Sequence, residues 1–265
     1  QEPMAHVLGY SWFYGYQMIV NPDVLIPREE TEELCSRILA RIDHIFPDQK
    51  EVVCADVGTG SGAIAITVAK EEPRVRMCAT DISEEALVVA RENARKNGLT
   101  NVTFEAHNCF DHLRELTDAG EKFDVVILDP PAFTKSKNTV PSALRGYKEI
   151  NLRGLKLTRP GGFLVTCSCS QHILPAQLVQ GYIGDAGHAF GGADIPVGAG
   201  GGFEHNRVGK NGGCHHTGHG GGRHQATILE HTGDDGIGGA YRLIGHINGV
   251  SGLNICQAVM VDGLH

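Results

Sequence analysis

The chain has 265 residues and a formal net charge of −8. That length allows one sizeable α/β domain with additions, and the acidic balance argues against a protein held to nucleic acid by one broad basic face. Eight cysteines without a disulfide-scaffold spacing, no signal peptide and no long apolar run predict reduced thiols, a cytoplasmic location and no membrane partner.

Residues 1–30 read as an amino-terminal hairpin segment. Met18 and Val20 alternate before Asn21-Pro22-Asp23, and Val24 and Ile26 after it, so the turn is expected there. Leu34, Ile38, Ile42 and Ile45 recur at helical spacing, predicting a helix over about 31–45 that Pro47 and Asp48 end. An apolar run from Val52 then carries Asp56 and breaks into Gly58-Thr59-Gly60-Ser61-Gly62. An alanine-rich stretch of helical length follows, Ala63 to Ala69. Strand, glycine turn and helix form the nucleotide-binding unit of an open α/β sheet, with the ligand at the carboxyl ends of the strands. The spacing, Asp-x-Gly-x-Gly-x-Gly, is not the dinucleotide fingerprint G-x-G-x-x-G. A second strand, Val75 to Thr80, ends at Asp81, placed to bind ribose hydroxyls.

Ser83 caps the next predicted helix, with Glu84 and Glu85 in its first turn; Gly98 stops it after Asn97. Val102 to Ala106 is the third strand, followed by Asn108. Phe123 to Leu128 is the fourth, leading into Asp129-Pro130-Pro131-Ala132-Phe133. The prolines stiffen that exit and hold Asp129 at the strand's end. Phe163 to Thr166 is the fifth strand, and Cys169 lies just past it. Cys167 competes with Cys169 as a reactive thiol but reads as a buried strand residue. Asp129 and Cys169 are expected to face each other at the carboxyl edge of the sheet.

The glycine turn with the acid closing the next strand resembles the class I S-adenosylmethionine-dependent methyltransferases. The resemblance implies a doubly wound, Rossmann-like sheet over 31–190 and S-adenosylmethionine as cofactor. Asp56, Gly58, Thr59, Gly60, Gly62, Asp81, Ile82, Asn108 and Asp129 would line the donor, with the ribose on Asp81 and the adenine near Ile82 and Asn108. Asn108 stands where such families usually carry Asp to accept from the adenine amino group.

Two acceptors follow from two further resemblances. Residues 1–107, with Ile26-Pro27-Arg28 and Glu29 where proline is usual, resemble the release-factor glutamine methyltransferases. There the isoleucine-proline-arginine run borders the cofactor pocket. Residues 108–190 resemble the bacterial large-subunit rRNA cytosine-5 methyltransferases. The matching text is Gly120-Glu121-Lys122-Phe123-Asp124, Asp129-Pro130-Pro131-Ala132-Phe133, Arg145-Gly146-Tyr147-Lys148-Glu149-Ile150-Asn151, Pro160-Gly161-Gly162 and Ser168-Cys169-Ser170. The resemblance implies Cys169 as nucleophile, with a lowered pKa, and Asp129, stiffened by Pro130, as the group gripping the cytosine edge. Arg145, Tyr147 and Lys148 are candidates for RNA phosphate contact. The favoured acceptor is therefore cytosine C5 in ribosomal RNA. Alternatives are the glutamine of a release factor, or a chimeric or designed chain that binds the cofactor without catalysis.

The chain changes character near residue 190. Of 35 glycines, 24 lie from Gly181 onward, and nine of 14 histidines from His188 onward. Within 191–265, strand-like runs occur at 226–230, 241–247 and 255–261. The first two are expected as a closing hairpin, antiparallel beside the fifth strand. Cys214, His215, His216, His219 and His224 are metal-capable, but their spacing matches no standard zinc pattern. A Gly/His-rich segment without a metal is expected there.

Overall fold

The computed structural model describes residues 3–170, 173, 225–233 and 240–248. A short helix α1 (Met4–Leu8) leads into the hairpin β1 (Tyr10–Phe13) and β2 (Tyr16–Ile19). The hairpin turns at Tyr14-Gly15, not at Asn21-Pro22-Asp23 as expected. Both central residues have positive φ, 52° and 79°, which matches the right-handed twist of the flanking strands. Asn21 instead makes a local turn, its side-chain oxygen accepting from the Asp23 N–H at 3.1 Å. Residues 21–28 are loop, so Val24 and Ile26 are not strand partners of Met18 and Val20.

The main elements follow as α2 (Glu29–Ile45), β3 (Val52–Val57), α3 (Ala63–Glu71), β4 (Val75–Asp81), α4 (Glu84–Lys96), β5 (Val102–Ala106), α5 (Cys109–Asp118), β6 (Phe123–Leu128), α6 (Val140–Leu157), β7 (Thr158–Ser168), β8 (Gln225–Gly233) and β9 (Ala240–Asn248). The sheet order is β5-β4-β3-β6-β7-β8-β9. The first five strands are parallel. β8 pairs antiparallel with β7, and β9 with β8. The third run, 255–261, and the metal-capable Cys214, His215, His216, His219 and His224 lie outside the described residues.

The apolar runs are continuous because both faces of the sheet are covered. On one face Leu34, Ile38 and Ile42 of α2 and Ile66 of α3 pack with Cys54, Val125 and Phe163. On the other, Leu113 of α5 and Tyr147, Ile150 and Leu155 of α6 pack with Ala55, Val57 and Leu128. Gly154 lets α6 close on the sheet, since a Cβ there would meet the tips of Leu128 and Leu164 at 2.9 Å. β7 starts well before the expected 163–166. Gly161 and Gly162 are inside it, and a Cβ on Gly162 would collide with the backbone carbonyl of Asp124.

The chain winds outward from β3 to β5, then returns to β6 on the other side of β3. The strand order therefore reverses between β3 and β6, and the crevice above their carboxyl ends is where such sheets take ligands. Asp129 follows β6 and Cys169 follows β7, so the two emerge from neighbouring parallel strands.

Candidate active site

The glycine turn between β3 and α3 forms the floor of the crevice. Its backbone is pinned rather than loose. The N–H groups of Gly58 and Thr59 both donate to the Thr80 carbonyl, at 2.8 and 3.0 Å. The Gly60 N–H donates to one oxygen of Asp81 at 2.8 Å, and the Ser83 N–H to the other at 3.0 Å. Asp81 thus ties the turn to the start of α4. Asn93 adds a second tie: its buried amide donates to the carbonyls of Ser61 and Ile19 and accepts from the Ile19 N–H. That side chain links α4, the glycine turn and the amino-terminal hairpin, and the sequence reading missed it. A polar residue among apolar neighbours on α4 was the available signal.

A cavity of about 440 Å³ opens above this floor, within the usual size for small-molecule sites. Its wall brings together Gly58, Thr59 and Gly60, then Asp81 and Ile82, then Asn108, and finally Asp129, Pro130 and Cys169. Pro27 and Arg28 of the loop before α2 complete it, whereas Ile26, the first residue of the isoleucine-proline-arginine run, packs instead beside Val20, Val24, Ala86 and Val89. Nine of the expected residues therefore share one wall, although they are drawn from five strand ends.

Two expected residues do not reach the wall. Asp56 is fully buried beneath the turn, where its carboxylate accepts from the Thr59 hydroxyl at 2.7 Å. Burial pushes its pKa up to about 7; the Thr59 hydroxyl opposes this, while the Asp129 and Asp81 carboxylates add to it. Gly62 precedes α3 with φ 81°, and a Cβ there would press on Ile66 at 2.8 Å and Ala90 at 3.2 Å. Its smallness serves helix packing, not ligand approach.

Asn108 reaches the wall but caps α5. Its oxygen accepts from the N–H groups of Phe110 and Asp111 at 3.0 and 3.5 Å, a common use of Asn at this position. The expectation that this oxygen is held for an adenine amino group is corrected to that extent. Tyr147 is also corrected: it is fully buried, its hydroxyl bonded to Ser170 at 3.0 Å and its ring against Phe133. It supports the lip of the cavity and cannot touch a phosphate.

Cys169 lies on the wall, whereas Cys167 is fully buried within β7. The expected lowered pKa is not found. Burial, followed by the Asp129 carboxylate, pushes the Cys169 thiol up to about 12, with the Arg28 guanidinium pulling it down. A thiolate next to a carboxylate in a half-dry cleft is disfavoured by both desolvation and repulsion.

His107, His112 and Glu115 bring three possible ligand atoms within 4.8 Å of one another. The two imidazoles stack at 4.0 Å with their planes 13° apart. Parallel rings aim their lone pairs side by side rather than at one ion, so this cluster is not arranged as a metal centre. Among the described residues no helix is long and apolar enough to cross a membrane.

The fold and crevice are those of a class I methyltransferase, and the comparisons agree. A family model described as a methyltransferase domain matches residues 48–186, just over half of the chain. The chain belongs to that family, the S-adenosylmethionine-dependent methyltransferases.

Over 129 residues it is 46% identical to the release factor glutamine methyltransferase of Bacillus cereus, a match covering 49% of this chain and 44% of that one. Over 108 residues it is 46% identical to ribosomal RNA large subunit methyltransferase I of Aeromonas hydrophila, covering 40% and 27% respectively. A release factor glutamine methyltransferase and a large-subunit rRNA methyltransferase are thus both among its relatives, and the chain spans less than half the length of either. The solved structure of SMU.776, described as a methyltransferase complexed with SAH, superposes with a TM-score of 0.52 at 14% identity, covering 70% of this chain and 47% of that one. At that identity the likeness speaks for the fold.

The residues present fit the cofactor. Gly58, with φ 88°, approaches the Asp129 carbonyl so closely that a Cβ would stand 2.6 Å from it. The turn under the crevice is bare backbone, and on the wall Asp81 is followed by an exposed apolar side chain, Ile82.

Proposed function

We propose that this chain transfers a methyl group to C5 of a cytosine in ribosomal RNA. Gly58, Thr59 and Gly60 would carry the donor, Asp81 its ribose, and Ile82 its adenine. S-adenosylmethionine supplies an electrophilic methyl group that is already activated, so the protein's task is to position and prepare the acceptor. Cytosine C5 is a weak nucleophile. Attack by the Cys169 sulfur at C6, with the thiol proton given up as the S–C6 bond forms and N3 taking one, makes C5 enamine-like, and C5 then takes the methyl group. A base then takes the C5 proton, the S–C6 bond breaks with its pair leaving on sulfur, and N3 gives back its proton, which restores the ring. Asp129, held by Pro130 and Pro131, would grip the N3/N4 edge of the base.

The observation that carries this reading is the Cys169 thiol on the cavity wall beside Asp129. Transfer to a glutamine nitrogen needs no thiol at all. The second reading, methylation of a release factor, is favoured by the longer match to that family and by the acidic balance of the chain. Methylation of ribosomal RNA and of a release factor, by wild type and by Cys169→Ser, separates them. Label on RNA that disappears in the variant supports the cytosine reading. Label on the factor alone, unchanged in the variant, overturns it.

A further inference from the structure

The chain is acidic overall, yet one stretch at the cavity is not. From Pro130 to Lys148 there are four cations, Lys135, Lys137, Arg145 and Lys148, and no Asp or Glu. Pro130, Pro131 and Phe133, at its start, line the cavity. The Phe133 ring stacks on Phe110 with centroids 5.6 Å apart and rests on Tyr147 at 4.5 Å. Gly146 fits beneath it, since a Cβ there would meet the Phe133 ring at 3.1 Å. This packing holds the loop and the start of α6 together at the lip. Arg145 is therefore next to the residue under Phe133, and Lys135 is two residues beyond Phe133.

Lys135, Lys137 and Arg145 are exposed. Elsewhere most arginines are paired with carboxylates, such as Arg74 with Glu72, Arg91 with Glu84 and Arg153 with Glu149. Among the described residues Arg145 departs from that pattern, with no carboxylate partner; Lys135 and Lys137 have none either, and, unlike Lys70, Lys96 and Lys122, which bond to neutral oxygens, they have no side-chain hydrogen bond. Exposed cations without a carboxylate partner, carried on the acid-free stretch that begins at the cavity of an acidic protein, suit a polyanion whose reactive part enters that cavity.

We propose that Lys135, Lys137 and Arg145 form the strip on which the phosphate backbone of an RNA strand rests while one of its bases enters the cavity. This rests on the RNA reading of the same site. Contacts of this kind orient the strand without reading its sequence. They also release counterions, at roughly 0.7 in the slope of log K against log salt for each phosphate met on a single strand.

The test uses a fluorescein-labelled single-stranded RNA containing cytosine, titrated by anisotropy at several KCl concentrations. Wild type is compared with the triple variant K135A/K137A/R145A, and S-adenosylhomocysteine binding is measured in both by calorimetry to confirm an intact fold. The proposal predicts unchanged S-adenosylhomocysteine affinity and a salt slope shallower by about 2 in the variant, three contacts at the figure above. An unchanged slope overturns the strip, even if RNA is methylated, and leaves the catalytic reading standing. No RNA binding by wild type at low salt overturns both. Polyglutamate bound by wild type as tightly as RNA, and lost equally in the variant, also overturns the strip as an RNA surface.

Discussion

Gly58 and Asp129 are in backbone contact: the Asp129 N–H donates to the Val57 carbonyl at 3.0 Å, and the Asp129 carbonyl occupies the space that a Gly58 side chain would need. The contact joins the glycine turn after β3 to the acid–proline corner after β6. It fixes the distance between the floor of the crevice and the Asp129 corner of its wall. A Cβ would also strain a backbone held at φ 88°. Gly58→Ala should therefore lose about 1–3 kcal/mol of stability and at least tenfold in S-adenosylhomocysteine affinity. Calorimetry and thermal melting check this; an affinity within twofold of wild type refutes it.

Asp81 has a structural duty as well as the proposed ribose contact. Its two oxygens accept from Gly60 and Ser83, and charge-assisted hydrogen bonds are worth about 1.5–3 kcal/mol each. Asp81→Asn keeps the shape and removes the charge. Cofactor affinity should fall roughly 10- to 100-fold, at 1.4 kcal/mol per factor of ten, while RNA affinity measured without cofactor stays put. Equal losses in both would mean that the variant damages the fold.

The Cys169 thiol should be slow toward alkylation. With its pKa at about 12, it is protonated through the physiological range, and its reactivity should climb about tenfold per pH unit well above pH 9. Asp129→Asn removes a negative charge and should speed alkylation; Arg28→Ala removes the opposing positive charge and should slow it. Peptide mass spectrometry with iodoacetamide can follow Cys169 against the exposed Cys78. Cys169 reacting faster than Cys78 at pH 7 would refute this electrostatic picture.

Asp56 gives the fold a pH signature. Its folded pKa is near 7, above the ordinary 3.8, because burial disfavours the charge. Between these values the unfolded chain has released the proton and the folded chain retains it. The contribution of Asp56 to stability therefore falls as pH rises from about 4 to about 7. Asp56→Asn should flatten that part of the profile relative to wild type in urea melts. Parallel profiles would count against a protonated Asp56.

Much of this was legible in the sequence because it depends on local pattern. The runs of β3 and β6 are buried on both faces and almost wholly apolar, β4 and β5 alternate towards the sheet's edge, and Ser83 caps α4 as its position predicts. The glycine spacing marks the floor of the crevice. What was misread depends on partners distant in sequence. Gly62 and Gly58 look alike in the text, but one meets Ile66 and Ala90 and the other meets Asp129. Asn108 follows a strand and also precedes a helix, and α5 takes its oxygen. The Cys169 thiol looked exposed at a strand end, and only the fold shows that Asp129 and burial raise its pKa. The hairpin turn was missed because Tyr14 at positive φ is unusual, while Asn-Pro-Asp is the stronger written signal.

The most direct test is a trap for the Cys169–cytosine bond. RNA carrying 5-fluorocytosine cannot lose a proton from C5, so after methyl transfer the enzyme should stay attached through C6. Peptide mapping of the product should find the base on Cys169, only with S-adenosylmethionine present and never in Cys169→Ser. An adduct on Cys167, or none in a preparation that methylates the unmodified RNA, would contradict the account.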